Sequence, residues 1–150
     1  MKKERINRVR IALPAISVNE GVARGMVSSI VSVLDPTVEE LADLKHAVSE
    51  AVTNAIVHAY GDEGGTVYIS VTLYEDRGVQ IEIRDTGRGI ADVEEAKKPL
   101  FTTDRSGERS GMGFTVMEAF TDRLRVASAV GRGTRVLMYK RLKEGHGRKI

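Results

Sequence analysis

Glu50 and Asn54 stand four residues apart in the segment Leu41 to Tyr60. On a helix that spacing puts both side chains on one face, one turn apart. The apolar stripe Leu41, Leu44, Val48, Val52, Ala55 and Ala59 lies opposite them, close to a 3.6-residue period. A carboxylate is a proton acceptor, and an amide carbonyl is a neutral hard oxygen suited to Mg²⁺. His46 and His58 flank the same face. On its own such a pair is most often a solvated helix surface. Its chemistry needs a second element that turns the face into a pocket.

Three further strings could supply that element. In Arg84-Asp85-Thr86-Gly87-Arg88-Gly89-Ile90, Asp85 continues the inward row Val79, Ile81, Ile83 of a strand. A carboxylate in a buried row is costly without a donor. A backbone N–H would serve, and so would the amino group of an adenine. Gly87 and Gly89 let the chain turn tightly and approach a ligand. In Gly107-Glu108-Arg109-Ser110-Gly111-Met112-Gly113-Phe114, glycines open a helix whose free N–H groups and dipole favour phosphate, with Arg109 as a fixed positive charge. The spelling is neither a P-loop nor a dinucleotide fingerprint, and a flexible hinge reads the same way. In Gly131-Arg132-Gly133-Thr134 a hairpin turn is followed by a threonine that could bond a base or a water beside Asp85.

The elements that carry these strings alternate in type. Val9, Ile11 and Leu13 predict a first strand. Residues 18 to 34 predict a helix stopped by Asp35-Pro36, and Thr37 with Glu40 spells a capping box for the long second helix, which runs to about Tyr60. Gly61-Asp62-Glu63-Gly64-Gly65 is a turn, and strands around Val67 to Leu73 and Val79 to Ile83 are joined through Asp76-Arg77-Gly78. From Thr86 to Ser110 regularity is lost apart from a short helix near Val93 to Lys97, a length that marks a functional loop. A helix over 111 to 121 and strands over about 123 to 130 and 134 to 142 complete an α+β two-layer sandwich, one sheet with helices on one face.

Composition bounds the rest. The chain has 150 residues, 41% hydrophobic and 29% charged, with no Cys and no Trp. One soluble domain over 1–150 fits those numbers. Disulfide scaffolds, thiolate metal sites and cysteine nucleophiles are excluded. A net charge of +2 and 5% aromatics give no nucleic-acid signature and no evident basic stripe. The start MKKERINRVR and the break at Pro14 argue against a signal peptide, and no run approaches the roughly 20 residues of a membrane span. A cytoplasmic protein is expected.

The order of the four strings over residues 6 to 142 resembles the N, G1 and G2 boxes of the GHKL superfamily, which includes histidine kinases, type II topoisomerases, Hsp90 and MutL. LDPTVEELADLKHAVSEAVTNAIVHAY, PLFTTDRSGERSGMGFTVME and SVNEGVAR look like the anti-sigma serine kinases, most of all the sporulation anti-sigma F group. The resemblance implies a Bergerat-type ATP-binding fold with a mixed, mostly antiparallel sheet, an ATP lid over about 97–112 and a frayed tail at 144–150. It implies ATP/ADP and Mg²⁺ as cofactors. Glu50 would be the general base of a protein-serine kinase, and Asn54 would hold Mg²⁺. Asp85 would read adenine with Gly87 and Gly89 beneath the nucleotide. Arg109, Gly111 and Gly113 would hold phosphates, and Thr134 would support Asp85. Arg24 would meet the partners: a sigma factor kept from RNA polymerase, and an anti-anti-sigma protein phosphorylated on serine. A homodimer is implied, with the first strand as candidate interface, and neither nucleic acid nor membrane is expected as a partner. The competing readings are a kinase of a stress-response partner-switching pathway and a binding module that holds ATP without transfer.

Overall fold

The computed structural model describes residues 4–98 and 113–143. Five strands form one sheet: β1 (Arg5–Pro14), β2 (Thr66–Tyr74), β3 (Gly78–Asp85), β4 (Arg123–Ala129) and β5 (Gly133–Arg141). Their spatial order is β1-β2-β3-β5-β4, and every pairing is antiparallel. Four helices, α1 (Val18–Val31), α2 (Val38–Thr53), α3 (Val93–Ala96) and α4 (Gly113–Phe120), complete the second layer. No described helix is long and apolar enough to cross a membrane.

Local rules account for most of the boundaries. α1 runs on as a 3₁₀ turn, Ser32–Leu34, and Asp35 ends it in the left-handed region ahead of Pro36. Both halves of the predicted capping box form. Thr37 Oγ1 accepts from Glu40 N at 3.0 Å, and Glu40 Oε1 accepts from Thr37 N at 2.9 Å.

Helix α2 packs against both α1 and α4. Its buried surface is therefore wider than one stripe and takes in Ala47 and Ala51 beside Leu44, Val48 and Val52. Alanines let the neighbouring helices close in. The core joins these residues to Val71, Ile81, Ile83, Met117 and Met138, each burial stabilising by about 1.5–3 kcal/mol for a large side chain.

The end of the long helix departs from a uniform α-helix. Asn54–Tyr60 is wound as a π-helix. The wider i→i+5 winding is uncommon and recurs at functional sites. Arg88 takes up carbonyls at its far end: Arg88 N donates to Ala59 O at 3.1 Å, and Arg88 Nε donates to His58 O at 2.5 Å.

Candidate functional site

Glu50 is in the last turn of α2, and Asn54 is the first residue of the π-helical stretch. Both are half-buried, so the face is not bulk solvent. The element that covers it is the start of α4. A Cβ placed on Gly113 would lie 3.1 Å from Asn54 Nδ2, 3.3 Å from Asn54 Oδ1 and 3.4 Å from Glu50 Oε2. A glycine at 113 leaves open the small volume in which the three residues converge. His46 stands apart from this cluster, exposed and stacked on Phe120 at 5.5 Å between ring centres.

Asp85 closes β3 opposite Thr134 of β5. It is 6% exposed. Its Oδ1 accepts from Gly87 N at 2.9 Å and from Thr134 N at 3.2 Å. The backbone thus satisfies one oxygen. Among the described residues no donor is bonded to the other, and one oxygen is what an adenine amino group requires. Burial pushes the Asp85 carboxyl above its ordinary range, and the two main-chain donors and Arg84 only partly offset that.

Thr134 supports Asp85 through its main chain. Its hydroxyl pairs with Ser128 Oγ at 2.8 Å, and Ser128 in turn donates to Gly133 O and accepts from Ile90 N. Ser128 is brought to Thr134 by the β4–β5 register, a pairing that no local sequence pattern spells out.

Gly87 and Gly89 are placed by close backbone approach. A Cβ on Gly87 would sit 2.4 Å from Ala59 O, at the end of the π-helix. Gly89 has a φ of +77°, and its Cβ would sit 2.2 Å from Ala129 O. The loop after Asp85 is therefore clamped between the helix layer and the β4–β5 turn. Tyr60, unnoticed in the sequence, ties the same region together: its hydroxyl donates to Thr66 O at 2.5 Å and accepts from Thr86 N at 2.8 Å. A lone tyrosine ending an apolar helical pattern just before a glycine-rich turn was the only available sign.

Arg109 and Gly111 lie outside the described residues, as does most of the predicted lid. Arg24 is half-exposed on α1, with Nη2 3.9 Å from Glu20 Oε2. Glu20 accepts a hydrogen bond from the Ser49 hydroxyl, so the Arg24 flank of α1 is joined to α2 one residue before Glu50.

Residues 4–140 fit the histidine kinase-like ATPase domain. In solved structures the chain overlays the RsbU and RsbW domains of a Mycobacterium tuberculosis protein with a TM-score of 0.67 at 21% identity, covering 96% of this chain and 34% of that one. It overlays the mycobacterial sensor histidine kinase MprB with a TM-score of 0.54 at 18% identity, covering 90% of this chain and all of that one. These likenesses establish the fold. In sequence it is 53% identical to an anti-sigma F factor of Priestia megaterium over 91% of this chain and 93% of that protein. An anti-sigma F factor of Clostridium acetobutylicum is 50% identical over 90% of this chain and 94% of that protein. The chain belongs to the histidine kinase-like ATPase domains and, within them, to the anti-sigma F factors.

Proposed function

We propose that this chain binds Mg·ATP between α2 and the sheet, holds a sporulation sigma factor away from RNA polymerase, and phosphorylates a serine of an anti-anti-sigma protein. The observation that carries the reading is the convergence of Glu50, Asn54 and Gly113 in one half-buried volume. The family match and the anti-sigma F relatives support it.

In this reading Asp85 Oδ2 accepts from the adenine amino group, while Gly87 and Thr134 hold Oδ1 in place. Glu50 takes the proton from the serine hydroxyl as its oxygen forms the new bond to the γ-phosphorus. The bond from that phosphorus to the β-phosphate bridging oxygen breaks, and ADP leaves. Phosphoryl transfer asks mainly for position and charge neutralisation, so one base and a donor-rich enclosure suffice. The donor set fits Mg²⁺, which binds proteins through one or two hard oxygens and completes its shell with phosphate and water. Asn54 Oδ1 would hold it, and when bound it neutralises phosphate charge. Arg109, Gly111 and Gly113 would receive the phosphates.

Partner docking belongs to α1. Val18, Val22 and Met26 repeat every fourth residue and are exposed, an apolar stripe that no described element covers. Arg24 is exposed on the same helix, on a side away from that stripe. An uncovered apolar stripe suits a protein surface.

The test is transfer of labelled phosphate from Mg·ATP to a candidate anti-anti-sigma protein. Phosphoserine is expected on that protein. Glu50→Gln is expected to keep ATP affinity and lose about 10²- to 10⁴-fold in rate. A full-rate variant would remove Glu50 from the role of base.

A further inference from the structure

The sheet has a second face, turned away from the helices, and it is strongly basic. Register places Arg8 and Arg123 at the two ends of one row across all five strands, with Gln80 and Tyr139 between them. Arg125 ends the next row on the β4 edge, and Arg5 lies at the β1 edge. An open groove of about 700 Å³ runs across this face, lined by Arg5, Arg8, Arg123, Arg125, Tyr74 and Tyr139. The sequence shows no basic stripe because no strand carries more than a few of these arginines. Alternation along each strand and pairing between strands gather them on one side.

The four arginines are exposed, and among the described residues none of them makes an ion pair. Glu82, in the same row as Arg125, is already held by Arg135 at 2.8 Å. Arg8 Nε donates to Thr72 Oγ1 at 3.1 Å, which lays its side chain along the sheet. With a chain net charge of only +2, this is segregation of charge and not bulk basicity.

Geometry selects the kind of anion. Four inter-strand spacings separate Arg8 from Arg123, roughly 19 Å at about 4.8 Å each. Cations thus stand on two rims with tyrosine rings on the floor between them. Arg123 lies 6.0 Å from the Tyr139 ring centre, and Arg84 covers Tyr68 at 4.3 Å on the same face. An acidic peptide would use the rims but not the rings. Single-stranded nucleic acid uses both, phosphates on arginines and bases on aromatic or guanidinium planes. We propose that the outer sheet face binds single-stranded nucleic acid without sequence preference. The site is on the opposite side of the sheet from Glu50 and Asn54 and is independent of the nucleotide reading.

The experiment is fluorescence anisotropy of labelled oligo-dT and oligo-U of about twelve nucleotides, a length within the usual site sizes, titrated with the full chain saturated in Mg·ADP. Binding is expected to fall with salt with a log–log slope of about −3, for four neutralised phosphates on a single strand. Arg123→Gln with Arg125→Gln is expected to weaken binding by about tenfold or more and to make the slope shallower. Tyr139→Leu is expected to weaken it about fivefold or more with the slope kept. Unchanged melting temperatures confirm that these surface variants fold. No binding at low salt, or variants that bind like the parent, overturns the proposal. Displacement by poly-glutamate together with indifference to Tyr139→Leu assigns the face to an acidic protein instead. A changed subunit number in the arginine variants by sedimentation assigns it to a second copy. Either of these also overturns it.

Discussion

Asp85 carries two opposing demands. Its buried charge is costly, yet a charged oxygen is what an adenine amino group would seek. Because its folded pKa is raised above the ordinary 3.8, the folded state holds its proton more tightly than the unfolded chain does. Stability from this group is therefore lost as pH rises from about 3.8 through the folded value. Asp85→Asn keeps an oxygen for Gly87 N and Thr134 N and removes the charge. The ligand-free variant is expected to melt about 2 °C higher than the parent at pH 7, which corresponds to somewhat under 1 kcal/mol in a chain of this size. The rise in melting temperature on adding ADP is expected to vanish. Scanning fluorimetry with and without ADP reads both, and a variant still stabilised by ADP would remove the adenine role. Asn54→Ala separates the other half of the site: calorimetry is expected to show weakened Mg·ATP binding, and unchanged affinity would count against Asn54 as the metal's ligand.

The β4–β5 hairpin and α1 show how an element imposes its own demands. Gly131 and Gly133 both have positive φ, at 79° and 109°. Around Gly131 a Cβ would meet nothing, whereas at Gly133 it would meet Asp85 O at 2.1 Å. Gly131→Ala is expected to cost about 1 kcal/mol, the backbone penalty alone. Gly133→Ala is expected to cost about 3 kcal/mol or more, because β5 must also shift from β3. Urea denaturation ranks the two, and equal losses would show that the hairpin yields without disturbing Asp85. On α1, Arg24→Ala is expected to weaken sigma-factor pull-down while leaving nucleotide binding intact. The helix stays folded through Ala23, Val27 and Val31, all buried in the core.

At the scale of the whole molecule, the second helix and the segment just after β5 are pinned together by one buried carboxylate. Glu40 Oε1 accepts from Thr37 N in the capping box, and Glu40 Oε2 accepts from Lys143 N at 2.8 Å, 103 residues away. Burial alone would raise the Glu40 pKa. The Thr37 and Lys143 N–H donors, the Thr37 hydroxyl and the Arg77 charge outweigh it and hold the group below the ordinary 4.5. A depressed folded value means stability that is present above about 4.5 and lost as pH falls through the folded value. This sign is opposite to that of Asp85. Glu40→Gln is expected to melt lower than the parent at pH 7 and to converge on it at strongly acid pH. Parallel melting curves across that range would show that the pin carries no charge-dependent stability.

Periodicity and local spelling already determined the helices, the strands, the capping box and the shared face of Glu50 and Asn54. Each depends on residues two to four apart, a distance over which backbone geometry alone dictates who faces whom. Asp85 was legible for the same reason, as the next inward step after Ile83. The long-range partners were not. Gly113 reaches Glu50 and Asn54 across some sixty residues, Thr134 reaches Asp85 across 49, and Arg88 takes up the carbonyls of a π-helical turn that no periodic signal marks. The arginines of the outer sheet face are dispersed among β1 and β4. Only strand register and helix packing decide which distant side chains share a volume, because burial of the whole core selects them together and no local pattern encodes that choice.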